Sequence, residues 1–134
     1  MSTAATLVTV EEFLRLPEPK SGHYELHRGE VVLVTAPKKG HQKLQERIRV
    51  LFSGIMQGRK VVRVEMAFQP AREYEVWEAD VGVISKERDD ATPDDEYLQG
   101  APDLVVEVLS PSNTVEEIND KMEICLDHGC SSFG

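Results

Sequence analysis

Leu44, Ile48, Leu51, Phe52 and Ile55 recur at intervals of three and four residues, which draws one apolar stripe along a helix from His41 to about Gln57. Past Gly58 the interval drops to two. Val62, Val64, Met66 and Phe68 alternate with Arg63, Glu65 and Ala67, predicting a strand with one buried face that Pro70 closes. A short apolar strand is expected from Ala79 to Ser85, and Asp103 to Leu109 is a near-continuous apolar run that predicts a strand buried on both faces. Thr114-Val115-Glu116-Glu117 has the form of a capping box. It opens a helix carrying Val115, Ile118, Met122 and Cys125 on one face, with Gly129 as its stop. Near the start, Thr9-Val10-Glu11-Glu12 is a second capping box, leading into a short helix that breaks at Pro17. Tyr24 to Val34 reads as a hairpin hinged at Arg28-Gly29, and the acidic, Pro- and Gly-marked stretch Arg88 to Pro102 reads as a solvated loop.

The expected order is helix, hairpin, helix, strand, strand, strand, helix: a mixed α/β chain forming one domain over residues 1–134. The sequence stops at Ser131-Ser132-Phe133-Gly134, where a further strand would begin and pack on the preceding helix, so a C-terminally truncated domain is expected. A content of 40% hydrophobic and 29% charged residues excludes collagen-like, coiled-coil and wholly disordered chains. No apolar run approaches the roughly 18 residues of a membrane span, so neither a secretory signal nor a membrane partner is expected, and the cytoplasm is the expected compartment. Cys125, His128 and Cys130 miss the C-x₂-C spacing of zinc sites and have no second pair upstream, which favours reduced thiols at a helix end.

The formal charge of −9 argues against a phosphate-bearing partner until its distribution is considered. Lys38, Lys39, Lys43, Arg47, Arg49, Arg59, Lys60 and Arg63 share their stretch with one acid, Glu46, giving +7 there and −16 elsewhere. This is either a solvated helix face or a phosphate-facing patch.

Glu107 stands in the middle of an apolar strand, flanked by Leu104, Val105, Val106, Val108 and Leu109. A carboxylate in such a place needs a cation, a metal or a proton to hold it. Asp80 heads the preceding strand. Two carboxylates at the ends of adjacent strands suit one Mg²⁺ or Mn²⁺ ion, which takes one or two carboxylates and keeps its other positions for water and phosphate. Lys121 borders the apolar stripe of the last helix, where it either buries only its stem or reaches the strand ends to hold water or developing negative charge.

Taken together the pieces resemble the PD-(D/E)XK nuclease superfamily, and more specifically the Uma2 family of restriction-endonuclease-like proteins. The resemblance rests on Thr9-Val10-Glu11-Glu12-Phe13-Leu14, Tyr24-Glu25-Leu26 with Gly29-Glu30, His41-Gln42, Ala79-Asp80-Val81, and above all Gly100-Ala101-Pro102-Asp103-Leu104-Val105-Val106-Glu107-Val108-Leu109-Ser110-Pro111-Ser112. It implies a restriction-endonuclease-like core of helix, three strands and helix, preceded by the N-terminal helix and hairpin. It also implies a last core strand and a further hairpin past Phe133, missing from this sequence. On the metal it puts Asp80 and Glu107, with the Val108 carbonyl as a further ligand. Leu109 breaks the superfamily's Glu-x-Lys form, and Lys121 on the following helix takes the lysine's place. Glu25 becomes a fourth acidic candidate, and His41 a phosphate contact or acid–base group beside Lys38, Lys39 and Lys43.

The function implied is a Mg²⁺-dependent endonuclease acting on nucleic acid, with DNA the expected substrate and a homodimer a means of cutting both strands. A non-catalytic binding module on the same fold, holding nucleic acid or a protein, is the competing expectation. A metal-dependent hydrolase of a small substrate is the third.

Overall fold

A computed structural model describes residues 6–70 and 73–134. Thr9 caps α1 (Val10–Phe13) through the expected box, its hydroxyl accepting from the Glu12 amide, but the helix lasts a single turn and ends well before Pro17. The hairpin follows as β1 (His23–His27) and β2 (Glu30–Val34), paired antiparallel with His27 opposite Glu30. Its turn residues Arg28 and Gly29 both have positive φ, 51° and 81°, a conformation that matches the right-handed twist of the two strands and explains the glycine.

Helix α2 (Lys39–Met56) ends at Gln57 in the left-handed region. Its packing departs from the expected stripe. Leu44, Leu51 and Ile55 are exposed, and the buried residue of the helix is Gln45, because α2 meets the sheet along the edge that carries His41 and Gln45.

Strands β3 (Lys60–Gln69) and β4 (Trp77–Ser85) pair antiparallel over nearly their whole length. The stretch expected to be a solvated loop contains α3 (Lys86–Ala91) and β5 (Leu98–Gln99). Ser85 caps α3 by accepting from the Arg88 amide, and the Arg88 side chain ties the segment down by donating to Asp103 and to the Gln99 carbonyl. Leu98 then enters the core as β5 pairs parallel with β3.

Strand β6 (Leu104–Val106) is shorter than the apolar run, and only Val105 and Val108 of that run are buried, with Leu109 exposed. Its ladder with β4 stops after Val106 because the Val108 amide turns to the Asp80 carboxylate. Thr114 caps α4 (Val115–Asp127) with the second box, although Val115, placed by the heptad-like spacing on the inner face, is 75% exposed and Cys125 is the buried residue. After Gly129, at φ 107°, the chain returns as β7 (Ser132–Phe133), which pairs parallel with β6; two residues of the strand expected to be missing are therefore in place.

The sheet order is β5-β3-β4-β6-β7, with parallel outer pairs and antiparallel inner ones. Phe68, Ala79, Val105 and Cys125 lie at the centre of its core, while Val10, Phe13, Leu26 and Val76 form a second cluster under the hairpin. An isolated bridge, Leu26 with Val76, joins the hairpin to the residue just before β4. Both cysteines are buried thiols, and burial pushes that of Cys125 up to about 12; His128 Nδ1 donates to the Ile124 carbonyl. Among the described residues no helix is long and apolar enough to cross a membrane.

Candidate active site

The register of the inner strands brings three acids into line. Val81 faces Val106 on β6 and Val64 on β3, so one step along β4 Asp80 lies opposite Glu107 on one side and Glu65 on the other. The pairing of the first two is explicit: the Asp80 amide donates to Glu107 Oε2 at 2.9 Å, and the Val108 amide donates to Asp80 Oδ2 at 2.7 Å. Glu65 is held at φ 51°, an uncommon backbone for a residue with a side chain, and strain of this kind concentrates at sites where geometry is over-determined.

The Glu107 side chain is 9% exposed and its Oε1 forms an ion pair with Lys121, which also donates to the Glu78 carbonyl. Burial pushes the Glu107 carboxyl up to about 7; the Lys121 charge opposes that rise and the Asp80 charge adds to it. For Lys121, burial favours the neutral amine, but the charges of Glu107 and Glu25 outweigh it and raise its pKa. Lys121 is thus an ammonium ion fixed at the strand ends, reached from α4 by a stem buried along the helix.

His41, in the first turn of α2, places Nε2 3.0 Å from the Val108 carbonyl oxygen and 3.5 Å from Asp80 Oδ2. Gln45, one turn on, donates to the Asp80 carbonyl at 3.3 Å. The fold therefore gathers Asp80, Glu107, Val108, Lys121 and His41 into one cluster.

Glu25 lies beside it without touching either acid. Its two oxygens each meet a ring nitrogen at 2.8 Å, one from His23 and one from His27, and His27 stacks on Trp77 with centroids 3.6 Å apart. Burial pushes the Glu25 carboxyl up, yet the hydrogen bonds of both histidines and the Lys121 charge bring it down to about 2. Since the group ordinarily titrates at 4.5, its stabilising share is complete above that pH and fades as the pH falls towards 2. Glu25→Gln is accordingly expected to lower stability by about 3 kcal/mol at pH 7 and by little at pH 2, read from urea unfolding at the two pH values.

Lys38, Lys39 and Lys43 make no contact with the acids. They are exposed on the N-terminal turns of α2, beside His41. The basic stretch divides in two here: Arg49, Lys60 and Arg63 are paired with Glu46, Asp103 and Asp89, whereas Lys38, Lys39, Lys43, Arg47 and Arg59 form no ion pair among the described residues, Arg59 donating instead to the Met56 and Ile55 carbonyls.

Sequence reasoning passed over His23, His27, Glu78, Glu65 and Gln45. The first three had a signal in period two, since His23, Glu25 and His27 share a strand face and Glu78 precedes Asp80 by one such step.

A mixed sheet of this order between two helices, with an acid on each of two neighbouring inner strands, defines a restriction-endonuclease-like fold. A putative nuclease belonging to DUF820 from Anabaena variabilis has a crystal structure that superposes with a TM-score of 0.75 at 21% identity, covering 92% of this chain and 70% of that one. The family model Uma2, described as "Putative restriction endonuclease", matches residues 10–133, and the chain belongs to that family. No curated protein matches it.

Proposed function

We propose that this chain is a Mg²⁺-dependent phosphodiesterase acting on nucleic acid, with DNA as substrate. The observation that carries the reading is the pairing of Asp80 with Glu107 across β4 and β6, with the Lys121 ammonium against Glu107. The family's description, "Putative restriction endonuclease", and that of the structural neighbour, "putative nuclease", support it. The donor chemistry fits a hard divalent ion: two carboxylates and a peptide carbonyl, the Val108 and Asp80 oxygens both lying within 3.5 Å of His41 Nε2. Mn²⁺ suits the same oxygens. When bound, such an ion activates water and stabilises charge gathering on the phosphodiester.

The chain's own groups do the rest. Lys121, charged, donates towards an attacking water or the developing oxyanion, a role for an ammonium and not for a base. His41 and the free N–H groups of the first turn of α2, which Lys38 leaves without a side-chain cap, face the phosphate. Lys38, Lys39 and Lys43 hold the flanking backbone, which gives affinity with little base readout. Replacing all three by alanine is expected to weaken DNA binding for every sequence alike and to reduce the slope of log K against log salt by about 3, measured by anisotropy across a salt series.

One observation favours the non-catalytic module instead: Glu107 is already occupied by Lys121 and the Asp80 amide, and among the described residues no three His, Cys, Asp or Glu side chains converge as a metal site. Nicking of supercoiled plasmid separates the two. The hydrolase nicks with Mg²⁺ or Mn²⁺ and stops in EDTA; nicking that persists in EDTA overturns the metal, and salt-sensitive binding without nicking under any metal selects the module.

A further inference from the structure

Helix α2 carries four large apolar side chains, Leu44, Val50, Leu51 and Ile55, each between 45% and 61% exposed. Scattered surface leucines need no explanation, but a contiguous row marks a contact surface. Leu44, Ile48, Leu51 and Ile55 follow one another at four, three and four residues, the interval of a helix–helix seam. The sheet takes α2 by a different edge, through His41 and Gln45, so the fold of one chain does not use this row.

Gly54 lies on the same side of the helix, three residues after Leu51. A glycine inside a helix weakens it. Neither a positive φ nor a close neighbour within the chain calls for one here, since a Cβ at Gly54 meets nothing within 4 Å among the described residues. A second helix lying across the row does, because the missing side chain lets the two approach.

Charge identifies that helix. Lys39, Lys43, Arg47 and Arg49 all lie in the first half of α2, whose one acid, Glu46, is paired with Arg49; Val50 to Met56 carry no charge. A parallel copy of α2 sets Lys43 and Arg47 against their own counterparts. An antiparallel copy, related by a two-fold axis between Ile48 and Leu51, sets Leu44 on Ile55 and Ile48 on Leu51. It also lays each basic half along the uncharged half of its mate, towards the negative pole of the helix dipole. Arg47 then lies beside Gly54 of the other copy, in the space that glycine leaves open. The 18-residue helix is about 27 Å long and about 10 Å across, so joining two such faces removes on the order of 1,000 Å² in total from water, the lower end of specific interfaces.

We propose that α2 is the surface through which this chain dimerises, two copies pairing antiparallel along Leu44, Ile48, Leu51 and Ile55. The proposal stands independently of the nucleic-acid reading. Its consequence for the acidic clusters is that the two copies of His41 stand at opposite ends of the helix pair, about 25 Å apart along it.

Sedimentation equilibrium of the full chain from about 1 to about 100 μM is expected to show monomer and dimer in exchange. Leu51→Lys is expected to weaken the dimer about tenfold or more. Val115→Lys, at a residue exposed on α4, is expected to leave it unchanged. Gly54→Gln separates association from folding: the better helix former raises the thermal stability of the dilute monomer, and its side chain weakens the dimer. Helix order is read with a short bismaleimide linker, which the buried Cys125 and Cys130 do not reach. Copies of Leu51→Cys, about 5 Å apart along the pair, are expected to cross-link, and copies of Ile55→Cys, about 17 Å apart, are not. A chain that stays monomeric overturns the proposal, and so does a dimer indifferent to Leu51→Lys. Cross-linking at Ile55→Cys in place of Leu51→Cys overturns the antiparallel order. A monomer that pellets with phosphatidylglycerol vesicles overturns the second copy in favour of an anionic membrane surface.

Discussion

Lys121→Met is expected to destabilise the fold, and to do so by about 1 kcal/mol more at pH 8 than at pH 5, measured by urea unfolding in EDTA. In the wild type the Glu107 carboxylate is nearly enclosed and has two partners, the Lys121 ammonium and the Asp80 amide. Methionine keeps the volume of the stem and removes the charge. The variant keeps the Asp80 amide, the burial and the Asp80 charge around Glu107 but loses the lysine charge that opposed the last two, so the pKa rises above the value of about 7 it has beside Lys121. A carboxyl whose pKa in the fold exceeds its ordinary 4.5 weakens the fold as pH rises from 4.5 through the folded value, because ionising it in place costs more than ionising it in the unfolded chain. The penalty of losing Lys121 therefore grows with pH. The double variant Lys121→Met, Glu107→Gln should recover most of the loss, since an uncharged pair leaves no buried charge unpaired. A loss equal at pH 5 and pH 8 would mean that only the packing of the stem had been removed.

That pair also shows which parts of the structure were legible in the sequence. Glu107 was conspicuous because a charged residue in an apolar strand violates the local rule for burial, and both capping boxes were readable because their chemistry lies within four residues. Family resemblance, and not periodicity, singled out Lys121 as the partner. What the periodicity missed depends on contacts distant in sequence. The stripe of α2 is a sound amphipathic pattern, but the helix docks by His41 and Gln45, whose partners Val108 and Asp80 belong to other elements. Segment 86–99 reads as polar loop until Arg88 finds Asp103 and Leu98 finds β3. The His23-Glu25-His27 spacing was visible, while the reason it matters, one buried carboxylate shared by two rings beside Lys121, appears only when the hairpin is bridged at Leu26 to Val76, just before β4.

Asp80→Ala and Asp80→Asn are expected to lower cleavage together, by about 10³-fold or more, and to differ in stability. The first effect follows from charge: a divalent ion stabilises the transition state by several kcal/mol, and about 4 kcal/mol corresponds to about 10³-fold in rate. Either change removes a full negative charge from the ligand set proposed for the ion, so calorimetric titration with Mn²⁺ should show the affinity fall in both. The second effect follows from Val108, whose amide ends the β6 ladder by donating to Asp80 Oδ2 at 2.7 Å. Asparagine keeps an acceptor there; alanine leaves a buried N–H without one, at a cost of about 1–3 kcal/mol. Thermal unfolding should therefore rank wild type and Asp80→Asn above Asp80→Ala, while plasmid nicking puts both variants far below wild type. An Asp80→Asn protein that nicks as fast as wild type would show that the charge is not used, and the role of Asp80 would then reduce to its bond with Val108, holding together a surface that binds nucleic acid without cutting it.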